Sequence, residues 1–181
     1  MTATDHASHV TPPAREQTTG DPVASPVADS TADPIADSTE RSGLSTAPLD
    51  PAAVEASVLS PSCGAALTFS GVVRDHDPEA TGTVASLDYT AHPDAESIVR
   101  SIVEHHARGP EHPDGEVRIA AVHRIGHLTV GELALVVSVA SAHRAEAFDT
   151  CRAVVEDIKA EVPIWKRQQT QTGEAHWVGL P

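Results

Sequence analysis

Only two of the 181 residues are lysines, Lys159 and Lys166. Both fall in the stretch Asp157-Ile-Lys-Ala-Glu-Val-Pro-Ile-Trp-Lys-Arg-Gln168. The chain carries 26 acidic against 12 basic residues, a formal charge of −14, so lysine is not serving as a general solubilising residue. Two ammonium groups placed seven residues apart, either side of a helix-ending Pro163, have the look of a site. The plainer description is one lysine favouring a helix C-terminus and one solvated strand lysine. A second candidate is His143-Arg144, behind Ser141 at the expected start of the last helix. Unpaired backbone N–H groups at such a start, with an arginine and a histidine beside them, suit an anion. A surface turn with one capping contact accounts for the same residues. Arg74, which ends a strand and enters a loop, is a third. Lys159 and Arg144 fall at opposite ends of one helix, roughly 20 Å apart by helical rise. A dimer whose second subunit supplies some of these groups is a natural way to collect them.

Other constellations are weaker. His105, His106 and His112 resemble a metal cluster by number, but no carboxylate or cysteine falls at ligand spacing with them, and a solvated helix end is the default. No metal site is expected. His123-Arg124 reads as a structural pair at a strand end. Cys151 sits on an apolar helical stripe, as a packed thiol does. Neither a Gly-rich phosphate loop nor a GxSxG nucleophile turn occurs. The acidic balance argues against nucleic acid and against an anionic membrane surface. The longest uncharged apolar run, Leu133 to Ala142, is ten residues, well short of the roughly 20 of a membrane span, and reads as a buried strand. Cys63 and Cys151 lie far apart without ligand spacing, and the N-terminus has no basic-then-apolar leader. A cytoplasmic location is therefore expected.

The elements that must position these groups start near Pro48. Residues 1–47 are rich in Ala, Asp, Pro, Ser and Thr and lack aromatics. They contain the near-repeat Pro26-Val-Ala-Asp-Ser-Thr31 and Pro34-Ile-Ala-Asp-Ser-Thr39. Such a segment buries too little apolar surface to offset its ordering entropy and is expected to be a disordered tail. Its seven acidic and two basic residues contribute −5 of the −14. Residues 48–181 are expected to form the one folded domain. Asp50-Pro51 begins a short helix, the aspartate as N-cap and the proline at the first position. Ala65–Arg74 reads as a strand with Gly71 a possible bulge, and Val84–Thr90 as the next. Pro93 to Ala107 is helical, with Ile98, Ile102 and Val103 on one face. Val117–Ile125 and Leu133–Ala140 are strands separated by Gly126-His-Leu-Thr-Val-Gly131. The last helix runs from His143 to Glu161 on the stripe Phe148, Cys151, Val155, Ile158 and Val162, ended by Pro163. Ile164–Thr170 and His176-Trp177-Val178 close the chain as strands. The irregular interleaving predicts an α+β fold, a mainly antiparallel sheet with helices packed on one side.

Five strings then carry a family resemblance: Thr68-Phe-Ser-Gly-Val-Val-Arg-Asp-His76, Leu87-Asp-Tyr-Thr-Ala-His92, Val122-His-Arg-Ile-Gly126, Ser141-Ala-His-Arg144, and Lys159 through Pro163-Ile-Trp-Lys-Arg167. In this order they resemble the large, catalytic subunit of molybdopterin synthase, over about Leu49 to Val178. The resemblance implies an α/β hammerhead with an added small β subdomain. It implies a sulfurtransferase that converts cyclic pyranopterin monophosphate to molybdopterin by inserting two sulfurs. The sulfur would come from the C-terminal thiocarboxylate of a small ubiquitin-like carrier subunit. The assembly implied is a homodimer core with a carrier at each end, a heterotetramer. Carried over by position, the substrate-binding residues are Val72, Val73, Arg74, His143, Arg144, Lys159, Lys166, Arg167 and Gln168. Lys159 is the expected catalytic lysine and Lys166 its partner near the pterin. Relatives often carry glutamate where this chain has Gln168, so no acid–base role is assigned there. A lysine with a lowered pKa could shuttle protons, and a charged one could hold the oxyanion. No metal or redox cofactor is expected, because the carrier supplies the sulfur. The competing reading is a non-catalytic module that binds a phosphorylated ligand or a carrier-protein tail.

Overall fold

A computed structural model of the chain describes residues 41–76, 82–108, 117–173 and 175–178. The elements in order are β1 (Gly43–Ser45), α1 (Pro51–Val58), β2 (Ala65–Val72), β3 (Val84–Ala91), α2 (Ala95–Ala107), β4 (Arg118–Arg124), β5 (Gly126–Thr129), β6 (Leu133–Ser141), α3 (Arg144–Glu161), β7 (Ile164–Thr170) and β8 (Ala175–Val178). They form two four-stranded sheets, ordered β1-β4-β6-β2 and β5-β3-β7-β8. Every pairing is antiparallel except β1 with β4. The mixed α+β architecture with a smaller β subdomain is therefore present. The helices, however, cover both faces of the first sheet. Alternation along β4 explains this: Ile119 and Ala121 pack toward α2 and α3, while the intervening Ala120 packs against Val54 and Val58 of α1. With both faces covered, β6 is apolar almost throughout.

Local chemistry accounts for the ends of the elements. Asp50 accepts from the backbone N–H of Ala52 (3.0 Å) and Ala53 (3.3 Å), a cap worth about 1 kcal/mol. The register of β2 on β6 shifts between Gly71 and Val72, the bulge anticipated at Gly71. At Gly126, with φ +93°, the chain leaves β4 in the first sheet and enters β5 in the second.

Three further expectations need correction. The expected tail extends to Ala47, yet Gly43–Ser45 pairs with Val122–Arg124, and the backbone N–H of Ala121 donates to Ser42 Oγ (3.1 Å). A three-residue strand is shorter than any hydrophobic period can reveal; residues 1–40 lie outside the described residues. The stretch Gly126 to Gly131, expected as a connection, contains β5, whose Leu128 is buried between the sheets. Finally, Phe148 does not belong to the core stripe of α3: it is 60% exposed, whereas Cys151, Val155, Ile158 and Val162 are buried as expected and Ala147 and Val154 join them. The stripe begins at Ala147, and one residue of helix turns Phe148 about 100° away from it. Phe148 instead walls an apolar groove with Leu67 and Phe69 of β2.

Candidate functional site

A polar pocket of about 280 Å³ opens where the two sheets meet the C-terminal end of α3. It is lined by Val72, Val73, Arg74, His76, Leu87, Tyr89, Lys159, Lys166 and Gln168. Each wall has a local cause. Beyond the bulge, Val73 is tied to the β5–β6 turn: its N–H donates to the Glu132 carbonyl (2.9 Å), and its carbonyl accepts from the Gly131 N–H (2.8 Å). That turn is locked in place. Glu132 accepts from the Thr129 N–H (2.7 Å), from the Thr129 hydroxyl (2.9 Å) and from Arg124 (2.7 Å). These bonds, led by the Thr129 N–H, hold the Glu132 carboxyl down at about 2. Gly131 adopts φ +92°, where a side chain would be strained. Arg74 thus projects from a braced strand end.

Pro163 sets the opposite wall. The Val162 N–H closes α3 on the Ile158 carbonyl, and the proline turns the chain into β7. Lys159 in the last helical turn and Lys166 on the new strand consequently face one cavity. The register of β7 on β3 places Lys166 opposite Tyr89 and Gln168 opposite Leu87, on one face of the second sheet. Arg167 falls on the other face, opposite Asp88, and is exposed. Gln168 is only 1% exposed, and its Nε2 has no hydrogen-bond partner among the described residues, so the pocket floor carries an unused donor. Tyr89 is pushed up by burial and stays a neutral phenol. Behind it His123 is held below its ordinary range, first by burial and also by the charge of Lys159, against the opposing effect of its bond to the Arg124 carbonyl.

One chain therefore gathers Val72, Val73, Arg74, Lys159, Lys166 and Gln168. It does not gather His143, Arg144 or Arg167. His143 caps α3 without a side-chain cap bond, and both it and Arg144 are exposed. Fifteen residues of helix put Arg144 about 22 Å from Lys159. The corner that carries them is tightly built: a Cβ on Gly64 would lie 2.5 Å from the Ala142 carbonyl oxygen, and Ser141 Oγ donates to the His143 carbonyl (2.8 Å). Tyr89, His76 and His123 escaped the sequence reading as site residues. The strings carrying the family resemblance contain all three, but only the β3–β7 register reveals that Tyr89 faces Lys166.

Of the histidines weighed as metal ligands, His106 Nε2 lies 2.7 Å from Asp157, an inter-helix pair, and His112 lies outside the described residues. Among the described residues no group of three or more His, Cys, Asp or Glu side chains could hold a metal ion. Cys151 is buried, its thiol pushed up by that burial, as a packed core thiol should be. No described helix is long and apolar enough to cross a membrane.

Comparison with known proteins adds a family to this geometry. The profile of the MoaE protein family matches residues 44–161, a span that includes Val72–Arg74, His143–Arg144 and Lys159 and stops before Lys166. Molybdopterin synthase catalytic subunit 1 of Mycobacterium tuberculosis is 40% identical over 136 residues, covering 75% of this chain and 88% of the relative. The molybdopterin synthase catalytic subunit of Thermoplasma volcanium is 36% identical over 118 residues, covering 65% and 82%. Among solved structures, molybdopterin synthase from Staphylococcus aureus superposes with a TM-score of 0.69 at 27% identity, covering 77% of this chain and 98% of that one. The fold also matches a chain of the Helicobacter pylori complex of subunits 1 and 2 of molybdopterin-converting factor, at TM-score 0.58 and 18% identity, covering 75% of this chain and 88% of that one. With its pocket and its fold both in place, this chain belongs to the MoaE family of molybdopterin synthase catalytic subunits, enzymes of molybdenum cofactor biosynthesis.

Proposed function

We propose that the chain inserts two sulfurs into cyclic pyranopterin monophosphate, taking them from the C-terminal thiocarboxylate of a small ubiquitin-like carrier subunit. One observation carries the reading: Arg74 just beyond β2, Lys159 on α3 and Lys166 on β7 come from three separate parts of an acidic chain and line a single pocket. Both partners in the reaction are anions, and a cation-lined recess attracts and orients them. The thiocarboxylate sulfur attacks an electrophilic carbon of the pterin side chain. A carbon–sulfur bond forms, giving a thioester to the carrier glycine, while the carbon–oxygen bond at that carbon breaks and its oxygen leaves with a proton. Water then cleaves the acyl–sulfur bond, leaving sulfur on the pterin and a carboxylate on the carrier. The charge that develops on the glycine oxygen during cleavage is where an ammonium group contributes most. Lys159, at the pocket mouth on α3, has this role, with Lys166 beside the pterin and Arg74 on its phosphate. Val72 and Val73 shape the adjoining wall, and Gln168 contributes a neutral donor. The carrier provides the sulfur, so no metal or redox cofactor enters the scheme. The folded domain, in the cytoplasm, is the setting of this reading.

His143 and Arg144 fit the scheme as groups supplied by a second copy of the chain, in a homodimer that carries one sulfur carrier at each end. A chain of the same fold occurs in the Helicobacter pylori complex of subunits 1 and 2 of molybdopterin-converting factor, which supports a partner subunit for this chain. Arg167, on the outer face of β7, is left to that assembly too. Reconstitution tests the proposal. Purified chain, thiocarboxylated carrier and the cyclic pyranopterin monophosphate are mixed and the pterin is followed by mass spectrometry. A gain of two sulfurs that is lost in Lys159→Ala is expected. No mass change with carrier binding intact would favour the non-catalytic binding module instead.

A further inference from the structure

The pocket cations account for the anionic parts of a substrate but leave its uncharged polar atoms unread. Tyr89 stands on the pocket wall opposite Lys166, and among the described residues its hydroxyl takes no hydrogen bond. Its ring is met at close to a right angle by the imidazole of His123, with centroids 5.2 Å apart and planes at 76°. The two rings come from different sheets, Tyr89 from β3 and His123 from the end of β4, so their contact spans the junction that forms the pocket. His123 is itself fixed. Its Nδ1 lies 2.8 Å from the Arg124 carbonyl, which can only accept, so Nδ1 carries the hydrogen and the neutral ring keeps its lone pair on Nε2. Arg124 is anchored in turn by its guanidinium on Glu132. A neutral imidazole is also the form that burial and the nearby Lys159 charge favour. Edge-to-face contact of this kind restricts a ring as well as filling space.

We propose that Tyr89 is a further substrate-contacting residue, its phenol donating a hydrogen bond to an uncharged acceptor of the pterin ring system, and that His123 is the positioning residue that holds the phenol there. The proposal rests on the pterin reading given above. It divides the pocket by chemistry: ammonium and guanidinium groups take the anions, and the neutral donors take heterocycle nitrogen or carbonyl oxygen. A lost neutral hydrogen bond changes affinity while leaving the charge-stabilised step intact, so the effect falls on KM for the pterin and not on kcat.

Two measurements test this on the full chain with its carrier: kinetics with the pterin as varied substrate, and calorimetric binding of the pterin alone. Tyr89→Phe keeps the ring and removes the hydroxyl. It is expected to raise KM and Kd for the pterin about three- to tenfold, with kcat within about twofold. His123→Ala should raise them similarly, and His123→Phe, which retains a ring against Tyr89, should stay close to the unaltered chain. Combining Tyr89→Phe with His123→Ala should add nothing beyond the larger single effect, because His123 acts through the hydroxyl. Unchanged pterin KM and Kd in Tyr89→Phe would overturn the proposal, as would effects that multiply in the double variant. Should His123→Ala fold poorly, His123→Phe and Tyr89→Phe decide. Failure of the unaltered chain to turn over the pterin would overturn the functional reading alone, since the Kd of Tyr89→Phe still judges this contact. Failure to bind the pterin at all would overturn both.

Discussion

The two ends of α3 carry the same kind of side chain in opposite circumstances. At the C-terminal end, Lys159 shares a pocket with Arg74, Lys166, Tyr89 and Gln168, all delivered by the same chain. At the N-terminal end, His143 and Arg144 are exposed on a rigid corner and line none of the described pockets. The helix is a spacer of about 22 Å between them. A site needing both ends has to borrow one of them from a neighbouring copy. A cation's type and its position on a helix, in other words, do not by themselves say whether its site is finished within one chain.

The largest expected effect is at the completed end. Lys159→Ala should lower kcat by about 100-fold or more, as loss of a charge that stabilises an oxyanion does. Its melting temperature should hardly move, because the side chain is exposed. A kcat within a few-fold of normal would break the contrast. Next comes Arg144→Ala, which should lower activity when pure. Mixed and reassorted with Lys159→Ala, it should recover about a quarter of the unaltered activity, because half of the dimers are hybrids with one intact site each. No recovery on mixing would mean that Arg144 serves no site across a dimer.

A smaller effect concerns the histidine beside Lys159. The folded chain keeps His123 neutral where the unfolded chain would bind a proton, so its stability is full above the ordinary imidazole value of 6.5 and declines as pH falls below that. Thermal melts at about pH 7.5 and about pH 5.5 should differ less in His123→Phe than in the unaltered chain. Equal differences would show that His123 does not set this slope. The smallest expected effect is at the other end of the helix. Phe148→Ser should change stability by no more than about 0.5 kcal/mol, against the several kcal/mol that a buried phenylalanine would cost. Urea unfolding would measure it, and a large loss would restore Phe148 to the core stripe.

Much of the fold was legible from residues close together in sequence. Asp50-Pro51 announced α1, Pro163 ended α3, and Gly71 marked a bulge, because caps, breakers and bulges act within a few residues. β1 and β5 were not legible. Gly43–Ser45 and Gly126–Thr129 are too short to show a period, and each is held by pairing with a distant strand. Phe148 misled because a stripe read at spacings of three and four tolerates a shift of one residue, and only packing against β2 and β6 decides the phase. In the site, charge and rarity singled out both lysines and Arg74. Tyr89 and His123 looked like ordinary strand residues until the sheets were assembled.

By itself the sequence determined the chemistry available and its local scaffolding. It specified a scarce pair of lysines around a helix stop, arginines at element ends, and a chain acidic enough to make those cations stand out. It also carried the strings that resemble a family. The tertiary structure alone decided which of these groups meet. Register across β3 and β7 turned Lys166, Gln168 and Tyr89 to one face and Arg167 to the other, because strand side chains alternate with a period of two. The length of α3 separated Arg144 from Lys159. Such outcomes depend on pairings between residues scores of positions apart, which local propensity does not encode.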